Sequence, residues 1–581
     1  MTHLRTQLGR ATLATLAALV IGLPATSTAQ RVRKGEPSPQ PVARFDWFEY
    51  VGNDSVYRAA AAGPGEFTNP ILAGFYPDPS ITRVGSDYYL VTSTFSYFPG
   101  LPIFHSRDLV SWTQIGNAID RPGQVSFDSL GMSRGLFAPA IEYSKGTFYI
   151  ANTCVDCGGN FIITATDPRG PWSDPVFLPT MEGIDPSLFF DDDGKVYVVN
   201  NRAPIGGSTY QGHRAIWIQE YDLARKQLVG EATQIVNGGV NIAEKPIWIE
   251  GPHVYKIGGK YYLNMAEGGT AHDHRQVIMR ADQVRGPYLP GPANPILTQR
   301  HLPGDRPFPV VAAGHADYVD TPSGEWWAVF LGARPYAEDY HNTGRETFLL
   351  PVRWENGWPT FVGGLEPIRY VLPRPALPAQ PRPAIPTSGN FTVRDEFDGP
   401  ALAPYWLMAR TPRERWHDLE ARRGSLTLVA RPVDIASRGQ PSFVGRRQQH
   451  LDATFTTAMH FQPEREGDEA GLVAWQSDEY FYAFTLGRDA GRPVIQLARR
   501  AGREPATVVA QAPIARAGLP LYLKIEARGG RYGFHYGHEP GQWTALAENV
   551  DGTILSTRVA GGFGGNFTGV VVGPYAHAPA R

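Results

Sequence analysis

Three short stretches set a carboxylate at the head of a strand-like run: "YPDPSITRV" with Asp78, "GIDPSLFFD" with Asp185 and "WIEGPHVYK" with Glu250. Carboxyls sharing one pocket can divide acid and base work, one protonating a leaving oxygen while another activates water. That division needs unequal proton affinities. The apolar neighbours in "IWIEGPHVY" disfavour a charge on Glu250 and predict a raised pKa, whereas Asp78 and Asp185, in Pro-flanked openings, are expected to stay charged. Pro77 and Pro79 predict extended backbone at Asp78, aimed inward. An acid flanked by Gly or Pro commonly caps a turn instead, and Asp191, Asp192 and Asp193 in "FFDDDGKVY" read as such caps.

What sets the first three acids apart is their place in a repeat. A tight turn followed by an aromatic-rich strand recurs five times, as "VGSDYYLVTS", "SKGTFYIANT", "DDGKVYVVNN", "IGGKYYLNMA" and "SGEWWAVFLG". Each is a hairpin signal. Their central glycines, Gly85, Gly146, Gly194, Gly259 and Gly324, are spaced by about the length of four strands with loops, which predicts a five-bladed β-propeller. Aligning the strands before the turns puts Asp78, Ala138, Asp185, Gly251 and His315 at one equivalent position, with Glu250 one residue earlier. First strands of blades line the central channel, so these positions should converge at one end of the axis.

Composition narrows the chemistry. Lys+Arg of 54 against Asp+Glu of 56, with no basic run, offers little to nucleic acid or an anionic membrane surface. Glycine at 63, proline at 51 and aromatics at 12% suit a turn-rich all-β chain. Cys154 and Cys157, in "CVDC", read as half-buried thiols or a loop staple; two thiolates make no closed zinc site. Paired acids with aromatic walls, and no metal or phosphate-loop motif, point to hydrolysis of a glycoside, without a cofactor for the chemistry.

The N-terminus carries Arg5 and Arg10, an apolar stretch from Ala11 to Leu23 and small residues to Ala29. Residues 1–29 are therefore expected to be a secretion signal, with export to the periplasm or beyond and no membrane contact after cleavage; an uncleaved anchor is the minor alternative. Residues 30–66 form an N-terminal arm, 67–371 the propeller, 372–389 a proline-rich linker and 390–581 an antiparallel β-sandwich.

From about Phe45 onward, "NPILAGFYPDPSI", "VTSTFSYFPGLPIFHSRDLVSWTQIG", "GIDPSLFFDDDGKVYV", "IEGPHVYKIGGKYYL", "EGGT" and "TGRETFLLPVRWENGWPT" recur in the order seen in glycoside hydrolase family 43, which the chain resembles. The resemblance implies a β-xylosidase or α-L-arabinofuranosidase that inverts configuration, taking a terminal sugar from plant cell-wall oligo- or polysaccharide. Asp78 resembles the family's general base, Glu250 its general acid and Asp185 the residue tuning that acid. It further implies hydrophobic walls at Phe95 and at Phe137, where many relatives carry tryptophan. Arg345 would bond sugar hydroxyls, His315 would sit on the axis floor holding a water or cation, and Thr270 would stand near the acid, with Ala138 at the remaining blade opening.

The sandwich, through "DEFDG" and "PSFVGRRQQH", resembles the concanavalin-like accessory domain of the xylosidase branch, and "GGFGGNFTG" nominates Phe563 to close the pocket. Some relatives end the sandwich with a "DFDWF" strand, whereas this chain carries "ARFDWFEY" near its start; the arm is expected to supply that strand, and Asp46 and Asp395 to share a structural Ca²⁺. The rival readings are a catalytically silent carbohydrate-binding propeller and a retaining, fructan-cleaving relative. Inversion calls for carboxyls roughly 6.5–9.5 Å apart.

Overall fold

Each aromatic-rich hairpin opens its own sheet. In the computed structural model, which describes residues 40–515, 517–561 and 566–581, five antiparallel sheets begin with Ser80–Val84, Ala140–Ser144, Ile184–Phe190, Glu250–Ile257 and Val311–Asp320. Each first strand pairs with the aromatic strand that follows its turn, as in Val84↔Asp87 and Asp320↔Trp326. These are the blades of a five-bladed propeller. Polar contacts knit neighbouring first strands around the channel: the Ser80 hydroxyl donates to Asp317 (2.6 Å) and accepts from the Ile141 N–H (3.0 Å). The lead-in segment is tied to the last blade, where Asn69 exchanges two 2.9 Å hydrogen bonds with the Leu349 backbone.

The sandwich is two eight-stranded sheets, and each borrows from outside the C-terminal half. Val42–Gly52 lies between Leu426–Val429 and Asp452–His460 in one sheet, with Phe45, Phe48 and Tyr50 buried in the core. A register shift between Phe45 and Trp47 explains the broken alternation, since an extra residue moves the inward face from the odd positions Ala43 and Phe45 to even positions from Phe48 onward. Burying each such aromatic contributes roughly 1.5–3 kcal/mol. In the other sheet the edge strand is Tyr97–Phe98, from the first blade, paired with Leu407–Ala409.

This shared construction reaches the first acid. Arg447, buried in the "GRRQQH" stretch, donates to the Phe75 carbonyl (2.7 Å) and lies 4.2 Å over the Tyr76 ring, while Gln449 donates to the Ala73 carbonyl (3.0 Å). Gly74 must be glycine: its φ is +88°, and a Cβ there would sit 2.8 Å from the Gln449 side chain. The sandwich thus clamps the turn that presents Asp78. The proline-rich stretch is pinned too, with Arg374 and the Gln380 N–H both donating to Asp108. Cys154 and Cys157 form a disulfide, Cα–Cα 5.0 Å.

Candidate active site

The acids reach a common cavity through a repeated backbone kink. Asp78 (φ 53°), Asp185 (55°), Gly251 (55°) and His315 (52°) are all left-handed; Ala138, at the second blade, is not. A left-handed residue interrupts the alternation of a strand, and the ladders shift register at Ile184/Ser187 and Glu250/His253 accordingly. Asp78 is therefore not extended as its prolines predict. Short polar side chains tolerate this conformation, and here surrounding bonds over-determine it. At Gly251 only glycine fits, because a Cβ would lie 2.8 Å from the His315 ring.

Asp78, Asp185, Glu250, Ala138, Thr270, His315 and Arg345 line one cavity of about 450 Å³, together with Phe95 and Phe137. Arg345 donates to both Asp78 oxygens (2.8 and 3.4 Å) and to Thr270 (3.0 Å), and the Ser93 hydroxyl donates to Asp78 (2.6 Å). Arg345 is thus bound to an acid, a partner the sequence does not name. Its guanidinium lies over the rings of Phe95 and Phe567, 5.8 and 5.5 Å away. Phe95 stacks on Phe567 at 5.7 Å, and Phe137 meets both edge-on.

The other two carboxyls are held differently. Burial, then the neighbouring charges of Asp185 and Asp78, pushes Glu250 well above the usual carboxylate range, with Arg345 and Arg214 opposing. Asp185 accepts the Gly251 N–H at 3.2 Å, which fastens it to the residue after Glu250. Burial and the Asp78 charge raise Asp185 to about 7, so the expectation that it simply stays charged is corrected: its sequence neighbours do not reveal a like charge from another blade. Burial lowers His315 to about 4, making it a neutral imidazole at ordinary pH. Chemically, the cavity holds a carboxylate fixed by a cation beside a carboxyl that keeps its proton, the pairing that acid/base hydrolysis requires.

Comparison with known proteins identifies the family of both domains. The model of glycosyl hydrolases family 43 matches residues 67–359, and that of the beta xylosidase C-terminal concanavalin A-like domain matches residues 394–581. A "xylosidase/arabinosidase" of Butyrivibrio fibrisolvens is 42% identical over 71% of this chain and 78% of its own length. This chain belongs to glycosyl hydrolases family 43. A "non-reducing end alpha-L-arabinofuranosidase" of Bacteroides ovatus is 38% identical over 88% of this chain and 91% of its own. The crystal structure of a GH43_12 protein retrieved from a capybara gut metagenome superposes with a TM-score of 0.85 at 40% identity, covering 93% of this chain and all of that one.

Four residues at this family 43 site escape a reading of the sequence. Ser93 sits inside a recognised motif, but nothing marks its hydroxyl. Phe567 lies in the Gly-rich stretch that nominates Phe563; Phe563 is outside the described residues, and Phe567 is the aromatic placed in the cavity wall, where its N–H donates to Ser133 at 2.8 Å. Arg214 and Trp248 also line the cavity. Trp248 stands two residues before Glu250, whereas a lone arginine in "GHRAIW" carries no signal.

The expected calcium pair does not fit. Asp395 accepts from the Phe397 N–H (2.9 Å) and from the Tyr405 hydroxyl and Trp406 indole (2.8 Å each), so hydrogens already point at both of its oxygens. Asp46 is paired with His460 at 2.8 Å. Among the described residues no group of three or more His, Cys, Asp or Glu side chains is arranged to hold a metal ion.

Proposed function

We propose that this glycosidase is exo-acting and inverting, and removes a terminal β-D-xylosyl or α-L-arabinofuranosyl unit from xylan-derived saccharides. Asp78 is the general base, Glu250 the general acid, and Asp185 the group that orients and tunes that acid. The observation carrying this reading is the contrast within one cavity between Asp78, bound through both oxygens to Arg345, and Glu250, whose proton affinity burial and like charges raise. In the reaction Asp78 takes a proton from water as the water oxygen attacks the anomeric carbon. The glycosidic bond breaks with its electron pair on the departing oxygen, which receives the Glu250 proton. A cavity of about 450 Å³ suits a chain end. The relatives, a xylosidase/arabinosidase and an alpha-L-arabinofuranosidase by name, support both pentoses. Residues 1–29, outside the described residues, we read as a signal exporting the enzyme.

The test is hydrolysis of aryl β-D-xyloside and aryl α-L-arabinofuranoside, with the first-formed sugar anomer followed by proton NMR. The expected result is release from at least one substrate with the anomer inverted. Retention would refute the assigned mechanism, and silence on both would favour a binding propeller.

A further inference from the structure

One wall of the cavity reaches the surface. Trp248 lines it yet is 39% exposed, whereas Phe95 and Asp185, which line the same space, are 1% and 6% exposed. A single exposed aromatic is ordinary on a protein surface. This one, however, has a left-handed backbone, φ 50°, which is costly for a bulky side chain and persists only where surroundings impose it.

The surroundings do impose it. The Trp248 N–H donates to the Gly212 carbonyl (2.8 Å), and the Gly268 N–H donates to the carbonyl of Ile247 (2.8 Å), so the backbone is held on both sides of the indole. On the other flank the fully buried Asn201 donates its side-chain N–H to the Ile249 carbonyl (2.5 Å). The same amide accepts from Arg214 Nε (2.7 Å), and the Arg214 guanidinium lies 5.6 Å from the centre of the Trp248 ring. One buried amide therefore fixes the strand that leads into Glu250 and also the cation behind the indole. The Nη groups of Arg214 carry no hydrogen bond to protein among the described residues, which leaves donors for a ligand hydroxyl.

Position supplies the rest. An acid that protonates a bridging oxygen must have the departing unit against it, and the residue two positions before that acid, on the partly open side of the cavity, is within reach of that unit. A sugar ring offers an apolar C–H face, and an indole offers a large rigid surface with few rotors to freeze. We propose that Trp248, backed by Arg214, is the platform for the departing sugar ring, and that preference among leaving groups is decided there. This rests on the glycosidase reading given above.

The experiment uses the full chain and two substrates with the same terminal sugar: the glycosyl fluoride, whose departing group has no ring, and the matching disaccharide, in whichever pentose series the unaltered enzyme hydrolyses. The quantity read is the ratio of kcat/KM on the disaccharide to that on the fluoride, which does not depend on how much of a variant is folded. Trp248→Ala should lower this ratio about tenfold or more, chiefly through KM, and Trp248→Phe should recover it to within about threefold. A ratio within about twofold of the unaltered enzyme in Trp248→Ala, with or without an equal loss on both substrates, would overturn the platform while leaving the glycosidase reading intact. An unaltered enzyme inert on fluoride and disaccharide in both series would remove that reading, and the platform with it.

Discussion

The corner of the cavity built around Asp78 and the corner built around Glu250 start from the same ingredients, a carboxylate at the opening of a propeller blade, and end with opposite chemistry. At Asp78 a guanidinium and a hydroxyl converge on both oxygens. At Glu250 no side chain among the described residues donates to the carboxylate, and burial with two nearby acids favours the proton. Position in the repeat brings the groups together. How they are held is decided by partners from other blades: Arg345 for Asp78, Asp185 for Glu250.

The comparison is broken most severely at its pinned corner. Asp78→Asn keeps the shape but removes the carboxylate; kcat should fall about 10⁴-fold, by a similar factor for good and poor leaving groups, because the proposed base assists water rather than departure. Steady-state kinetics on an activated aryl glycoside and a disaccharide check this.

A milder change sharpens the other corner. In the proposed mechanism Glu250 works protonated, so activity falls as pH rises through its raised pKa; Asp185, once ionised above about 7, adds a negative charge that holds that pKa up. Asp185→Asn should therefore move the alkaline limb of the kcat/KM profile to lower pH, by about one unit.

The smallest effect is on stability. Asp185 has a folded-state pKa raised to about 7, against an unfolded value of about 3.9. A raised carboxyl contributes stability that is full below the unfolded value and lost as pH rises through the folded one. Thermal unfolding of Asp185→Asn should accordingly show a higher Tm than the unaltered protein at pH 8, and this advantage should shrink or vanish at pH 4.

Much of this was legible in the sequence because it is local. Turn glycines between aromatic strands mark the blades, and aligning them finds Asp78, Asp185 and Glu250 together. Errors arise where a distant group overrules a local rule. Pro79 argues for extended backbone at Asp78, but the residue binding that carboxylate is Arg345, 267 positions away. Asp185 looks like an ordinary ionised acid until Asp78 is brought beside it. Asp395 looks like a hard ligand until Tyr405 and Trp406 donate to it. Phe567 and Trp248 are ordinary aromatics in sequence, and only the closed fold gives them a wall to form.

The assignment of the proton donor is tested most directly by a Brønsted series, kcat/KM for aryl glycosides of increasing leaving-group pKa, measured for the unaltered enzyme and for Glu250→Ala. With the donor present the unaltered enzyme should show a shallow dependence, and with it removed the variant a steep one, so that the deficit grows to about 10²-fold or more for the poorest leaving group. Parallel lines for the two proteins, whatever their vertical offset, would contradict the account.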